Sequence, residues 1–150
     1  MPEGDTLAQS AARLQQALVG SRVERIGGSH RDAIRHGTRL VGSSVEEVTN
    51  AGKHLIMGFD NGWALRTHLR MTGSWHLYRR GERWQRSPGS ARVVVVTETW
   101  EAVCFAAPTV QIAPADLVAA RVAHLGPEAG KPGFDASDVV ARARRGDQSR

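Results

Sequence analysis

The chain has 150 residues, enough to bury one core, with 20 Lys and Arg against 15 Asp and Glu and a formal net charge of +5. Its one cysteine, Cys104, excludes an internal disulfide and any multi-cysteine zinc site within the chain. No apolar run reaches membrane-spanning length and the start is too polar for a secretory signal, so a cytoplasmic protein with no membrane partner is expected.

The opening Met1-Pro2-Glu3-Gly4-Asp5-Thr6 places a proline behind the initiator and a carboxylate beside it. Removal of Met1 would expose a secondary amine with a reference pKa of about 7.7–8.0, partly neutral and nucleophilic near pH 7. Such an amine can attack an aldehyde-level carbon to give a cationic iminium, an electron sink for later elimination, and Glu3 is placed to move protons. Six residues alone are equally an ordinary polar start. Asp5 then reads as an N-cap, Leu7, Ala11, Leu14 and Leu18 repeat on one helical face, and Gly20 closes the helix. The positive end of that helix dipole would favour an anionic group beside Pro2 and Glu3.

His30, Arg31, Arg35, His36 and Arg39 form a basic stretch that fits a phosphate contact or a solvated loop equally well. Short apolar segments at 45–48, 55–59, 63–69, 93–97 and 102–105 read as strands, and Asn61-Gly62 between two of them is a type I′ hairpin signal. Several such strands point to a sandwich or flattened barrel. The stretch 79–90, with Gly81, Pro88 and Gly89 among its charges, reads as an exposed loop in which Trp84 is a local anchor. Past Pro108 and Pro114 the composition shifts to a helix over 115–125, a break at Gly126-Pro127, a turn at Lys131-Pro132-Gly133 and a further helix from about Asp135. The expected fold is mainly β with flanking helices (α+β): a β-sandwich over 1–113, then a linker and the incomplete start of a helical domain over 114–150. The only lysines are Lys53 and Lys131, so arginine carries the basic excess. It suits bidentate phosphate contacts, and an anionic polymer as partner and a merely solvated arginine-rich surface carry similar weight.

Three segments belong together: the Pro2-Glu3 opening, Gly52-Lys53-His54-Leu55 at a strand head, and His68-Leu69-Arg70-Met71-Thr72-Gly73-Ser74. In this order and spacing the chain resembles the formamidopyrimidine-DNA glycosylase and endonuclease VIII family of base-excision repair enzymes, and its opening looks most like the endonuclease VIII-like branch. The resemblance implies Pro2 as the nucleophile at C1′ of a damaged nucleoside, Glu3 as general acid and proton shuttle, and Lys53 as a cation holding a backbone phosphate. It implies Met71 as the apolar filler of the gap left by a flipped nucleotide, with Arg70 and His68 on the DNA side. Read without the resemblance, Lys53 is a solvated strand-end lysine, His68 a structural hydrogen-bonding group and Met71 a core methionine, a reading that its place in a turn between Arg70 and Thr72 disfavours; the other histidines read as structural, and Gln111 and Cys104 carry no supporting constellation.

The implied activity is that of a bifunctional DNA glycosylase and abasic-site lyase on oxidised bases, pyrimidines first, acting as a nucleoid-associated monomer on damaged double-stranded DNA. Where many members have glutamate, this chain has Thr6, and the carboxylate falls on Asp5. His124-Leu125-Gly126-Pro127-Glu128 resembles the entry into the family's helix-two-turn-helix domain, whose remainder does not lie in these 150 residues. Nor do the cysteines of the family's zinc finger, so no cofactor is expected in this chain, and DNA binding should be weak and salt-sensitive. Two alternatives stand beside this reading: a DNA-binding domain with little or no catalysis, and an unrelated β-rich interaction module.

Overall fold

The structure is a computed structural model that describes residues 3–124, with side chains from Leu7 onward. Pro2, and the turn and helix expected beyond residue 125, lie outside the described residues. Helix α1 (Glu3–Leu18) buries Leu7, Ala11, Leu14 and Leu18, the face read from the sequence. It already begins at Glu3, so Asp5 sits in its first turn instead of capping it. Carboxylates in that turn suit the dipole as well as a cap does, so a carboxylate there fits either place and Asp5 could be read as the cap.

Eight strands follow, β1 (Arg25–Gly27), β2 (Val45–Ala51), β3 (His54–Phe59), β4 (Trp63–His68), β5 (Ser74–Arg79), β6 (Ala91–Val96), β7 (Trp100–Phe105) and β8 (Thr109–Pro114), with α2 (Arg31–His36) after β1 and α3 (Ala115–His124) at the end. They form two antiparallel four-stranded sheets, β2-β3-β4-β8 and β1-β6-β7-β5. The expected β-sandwich with flanking helices is therefore what the chain builds. β1, β5 and β8 were not among the expected strands. β1 is only three residues long, β5 carries polar residues on both faces, and β8 is bounded by Pro108 and Pro114. As an edge strand β8 tolerates a terminal proline that a central strand would not.

Side chains alternate across each strand. On β3 and β4 the inward set, Leu55, Met57, Phe59 and Leu65, joins α1 and residues of the second sheet in the main core. The outward set is of two kinds. Ile56 and Ala64 pack with Ala51 beneath Ala115, Val118 and Val122 of α3. Interleaved with them the same face carries His54, Arg66 and His68, with Arg66 opposite Ile56 and His54 opposite both Ala51 and His68.

The β3–β4 hairpin lies where the sequence put it, but its turn is different. Gly62 has φ +87 while Asn61 is not among the positive-φ residues, and the Gly62 amide donates to Phe59 O at 3.3 Å. This fits a three-residue loop ending in a left-handed glycine, not a type I′ pair. Asn61 uses its side chain instead, donating to Arg39 O at 2.6 Å and accepting from the Trp63 amide at 3.1 Å. Among the described residues no helix is long and apolar enough to cross a membrane.

Candidate functional site

At one end of the sandwich, three short connections build a single cleft. β2 and β3 are joined by Gly52-Lys53, with Ala51 opposite His54 and Gly52 at φ +58, the pattern of a two-residue hairpin with glycine first. That turn presents Lys53 at the sheet end. β4 and β5 are consecutive but belong to different sheets, so residues 69–73 cross from one layer to the other. The crossing is tied down at several points. The Leu69 amide donates to Lys53 O at 3.4 Å, the Gly73 amide to Leu69 O at 2.8 Å, and Thr72 Oγ1 to Ala106 O at 3.0 Å. Below it, Trp75 Nε1 on β5 donates to the buried Thr67 Oγ1 on β4 at 2.9 Å, pinning one sheet to the other.

Two residues of this region hold left-handed backbone without being glycine, Arg70 at φ +52 and Ala106 at φ +58. Gly73 is glycine for space: a Cβ there would come within 2.7 Å of Leu69 O and 3.0 Å of Ala107 Cα. The result is a rigid turn that leaves Met71 83% exposed, more than any other large apolar side chain described. The core alternative for Met71 is thereby overturned.

The cleft, about 650 Å³, is lined by Lys53, His54, His68, Arg70, Met71, Thr72 and Pro108. All four described residues singled out in the sequence, Lys53, His68, Arg70 and Met71, meet there. Glu3 opens α1, but its side chain, like Pro2, is outside the described set. None of the described lining residues is acidic. The wall therefore offers cations and donors to an anion, with an apolar methionine at its rim.

Beneath this wall lies a network that the sequence reading missed. Arg66, only 4% exposed, places Nη1 3.0 Å from His54 Nδ1 and donates from Nε to Gln111 Oε1 at 2.8 Å. The His54 ring lies 4.2 Å from the His68 ring, tilted by 31°. Burial, then His68, Arg66 and Arg70, lower the His54 pKa to about 4, so this imidazole is neutral at physiological pH. The Arg66 pKa is lowered by burial and by Arg121, with Asp32 opposing, yet a guanidinium stays charged. Alternation along β3 and β4 could have placed His54, Arg66 and His68 on one face; Gln111 was invisible while β8 went unrecognised.

The remaining candidates are structural. His30 accepts the Asp32 amide at 3.0 Å to cap α2, and Arg39 lies 5.3 Å over Trp63, which uses the basic stretch locally. Cys104 is fully buried, and burial pushes its thiol pKa up. Among the described residues no group of three or more His, Cys, Asp or Glu side chains could hold a metal ion.

Comparison with known proteins matches residues 1–109 to the formamidopyrimidine-DNA glycosylase N-terminal domain. A protein of Streptomyces coelicolor named probable endonuclease 8 2 is 38% identical over 146 residues, covering 96% of this chain and 52% of that relative. A DNA-(apurinic or apyrimidinic site) lyase of Mycolicibacterium smegmatis is 29% identical over 136 residues, covering 90% of this chain and 51% of its own length. The chain thus spans about half the length of the curated relatives it matches. Among solved structures, a Lactococcus lactis formamidopyrimidine-DNA glycosylase in complex with DNA containing N7-benzyl-Fapy-dG superposes with a TM-score of 0.71 at 17% identity, over 82% of this chain and 48% of that one. The fold is shared. The alternative of an unrelated β-rich module does not survive the family match.

Proposed function

The chain belongs to the formamidopyrimidine-DNA glycosylase N-terminal domain family, and on that premise we propose that it carries the catalytic half of a base-excision DNA glycosylase and abasic-site lyase. The observation that carries this reading is the convergence of Lys53 from the β2–β3 turn, His68 from the end of β4, and Arg70 and Met71 from the 69–73 crossing on one cleft whose described lining has no carboxylate. Phosphates of a duplex are the anions such a wall fits, and Met71 at the rim is placed to fill the space of an extruded nucleotide.

The chemistry assigned to the opening then runs as follows. With Met1 removed, the Pro2 nitrogen attacks C1′ and the C1′–base bond breaks with its electron pair leaving on the base; the proton of the attacking amine passes to the departing base, which restores the nitrogen lone pair, and Glu3 supplies the proton that opens the sugar. The sugar's O4′–C1′ bond cleaves as the nitrogen lone pair forms the iminium. That cation acidifies C2′, whose proton leaves as the C3′–O bond to the 3′ phosphate breaks; a second elimination releases the 5′ phosphate. Water then hydrolyses the iminium and frees Pro2. Oxidised bases, pyrimidines first, are the proposed substrates, a reading supported by the endonuclease VIII-like opening and by relatives named endonuclease 8.

The test is borohydride trapping on a duplex with one abasic site, with the cross-linked residue mapped by mass spectrometry in protein lacking Met1. An adduct at Pro2, lowered about tenfold by Lys53→Met through loss of a charge-assisted phosphate contact, is expected. Folded protein that binds the duplex without forming an adduct would establish the non-catalytic DNA-binding reading instead.

A further inference from the structure

We propose that Arg66 is a positioning residue of the cleft: it fixes the tautomer of His54 and, through the contact between the two tilted imidazoles, the orientation of His68 toward a DNA phosphate. This rests on the DNA-binding reading above and adds Arg66 and Gln111, to which the resemblance assigns no role.

Arg66 sits in the interior of β4, where burying a guanidinium is costly unless its donors are matched. Its two matched partners, His54 Nδ1 at 3.0 Å and Gln111 Oε1 at 2.8 Å, are both uncharged acceptors. A structural role alone would be served more cheaply by an aliphatic side chain of similar volume. What the guanidinium does, and an aliphatic chain cannot, is dictate a proton position. Arginine only donates, so His54 Nδ1 must be bare and the hydrogen of the neutral ring must lie on Nε2. A flip of the ring would put a carbon where Nδ1 accepts and break the bond.

The fork is itself held from both sides. Arg66 stands opposite Gln111 in the β4–β8 register and opposite Ile56 in the β3–β4 register, one step from the His54–His68 pair. With the guanidinium plane fixed by two strands, the His54 ring is fixed too, and a ring 4.2 Å away at 31° limits how His68 can turn. Both rings line the cleft with Lys53. A binding wall set in place before the ligand arrives loses less freedom on binding. The buried charge also adds to the positive field at the cleft floor, where water screens it poorly.

The test compares wild type with Arg66→Met, Arg66→Lys and Gln111→Ala. ¹⁵N-histidine NMR of the free protein reads the His54 tautomer, anisotropy with a duplex carrying a tetrahydrofuran abasic analogue reads affinity, and single-turnover trapping at saturating DNA separates binding from chemistry. Wild type should show the Nε2–H tautomer alone. Arg66→Met should show both tautomers and bind about tenfold more weakly, with a smaller change in saturated trapping rate. Arg66→Lys, which keeps the charge but cannot reach both acceptors, should recover part of the affinity.

A wild-type Nδ1–H tautomer, or Arg66→Met with one tautomer and affinity within about twofold, would overturn the proposal. If Arg66→Met does not fold, Gln111→Ala decides: unchanged affinity overturns it and a loss of about threefold supports it. Failure of wild type to bind the duplex would sink the DNA reading and the phosphate part of this proposal. Binding by wild type with unmoved variants would sink this proposal alone.

Discussion

The outer faces of the two sheets carry similar residue types in opposite circumstances. On the β1-β6-β7-β5 sheet, Tyr78 and Phe105 are covered by Trp84 from the β5–β6 loop, and each polar tip finds a partner. Trp84 Nε1 donates to Glu101 at 2.9 Å and Tyr78 Oη accepts from the Gln85 amide at 3.2 Å. Two arginines nearby are occupied as well, Arg80 with Glu24 and Arg79 over Trp100 at 5.3 Å. On the β2-β3-β4-β8 sheet the cations and imidazoles open onto a cleft with no described carboxylate. The same chemistry thus closes on itself in one place and faces outward in the other. A described lining of cations and imidazoles gathered at one cleft, more than the count of arginines, marks a binding wall.

If this contrast is right, damage to the closed cluster should cost stability without touching binding. Tyr78 is 4% exposed and far along β5 from the 69–73 turn. Tyr78→Ala should lower unfolding free energy by about 3 kcal/mol, read by urea denaturation, by removing a buried ring and leaving the Gln85 amide without its acceptor. The folded protein should bind an abasic duplex as wild type does. A fall in affinity larger than the unfolded fraction explains would make the two faces one functional surface.

Acid should press harder on the open face. His54 has its pKa lowered from 6.5 to about 4 by burial and by His68, Arg66 and Arg70. Above pH 6.5 the ring is neutral folded and unfolded, and it contributes no pH dependence. As pH falls from 6.5 toward 4 the unfolded chain takes a proton that the folded one refuses, so stability is lost across that window, on the order of 3 kcal/mol at most. Urea titrations of His54→Gln against wild type should converge as pH drops through it. His76 on the closed face, lowered by burial and by Arg86 and Arg13, serves as the comparison, and His76→Gln should narrow the gap less. Parallel curves for wild type and His54→Gln would show that the buried imidazole is not held neutral.

How much of this was legible in the sequence follows from the range of the interactions involved. α1, the central strands and the β3–β4 hairpin were read from local periodicity and one Asn-Gly pair, because a few consecutive residues decide them. Lys53, His68, Arg70 and Met71 were found through the family resemblance of residue types and spacing, and the fold then placed them together. Arg66, His54 and Gln111 were passed over. Their contact depends on the register of three strands, including one whose flanking prolines disguised it, and no local window contains the three residues. The turn type at Asn61 failed for a related reason, since a contact to Arg39 O, far away in sequence, occupies the asparagine side chain.

The smallest expected effect separates the two faces most cleanly. Met71 makes its turn's rim but is 83% exposed, so Met71→Ala removes almost nothing from the fold and should change stability by less than about 0.5 kcal/mol. On DNA the same truncation removes an apolar wedge where a nucleotide has left the stack. Affinity for a duplex with an abasic analogue should fall severalfold, about 1 kcal/mol, while that for an intact duplex stays level. The contrast between the two duplexes carries the argument, because loss of general apolar surface would weaken both alike. Rigidity of the turn is what makes the truncation informative: Gly73 packed against Leu69 and Ala107, with Thr72 bonded to Ala106 O, leaves no slack for Arg70 or Thr72 to take the place of the missing side chain. Equal affinities for the two duplexes in wild type would mean that Met71 stands at the rim without entering the helix.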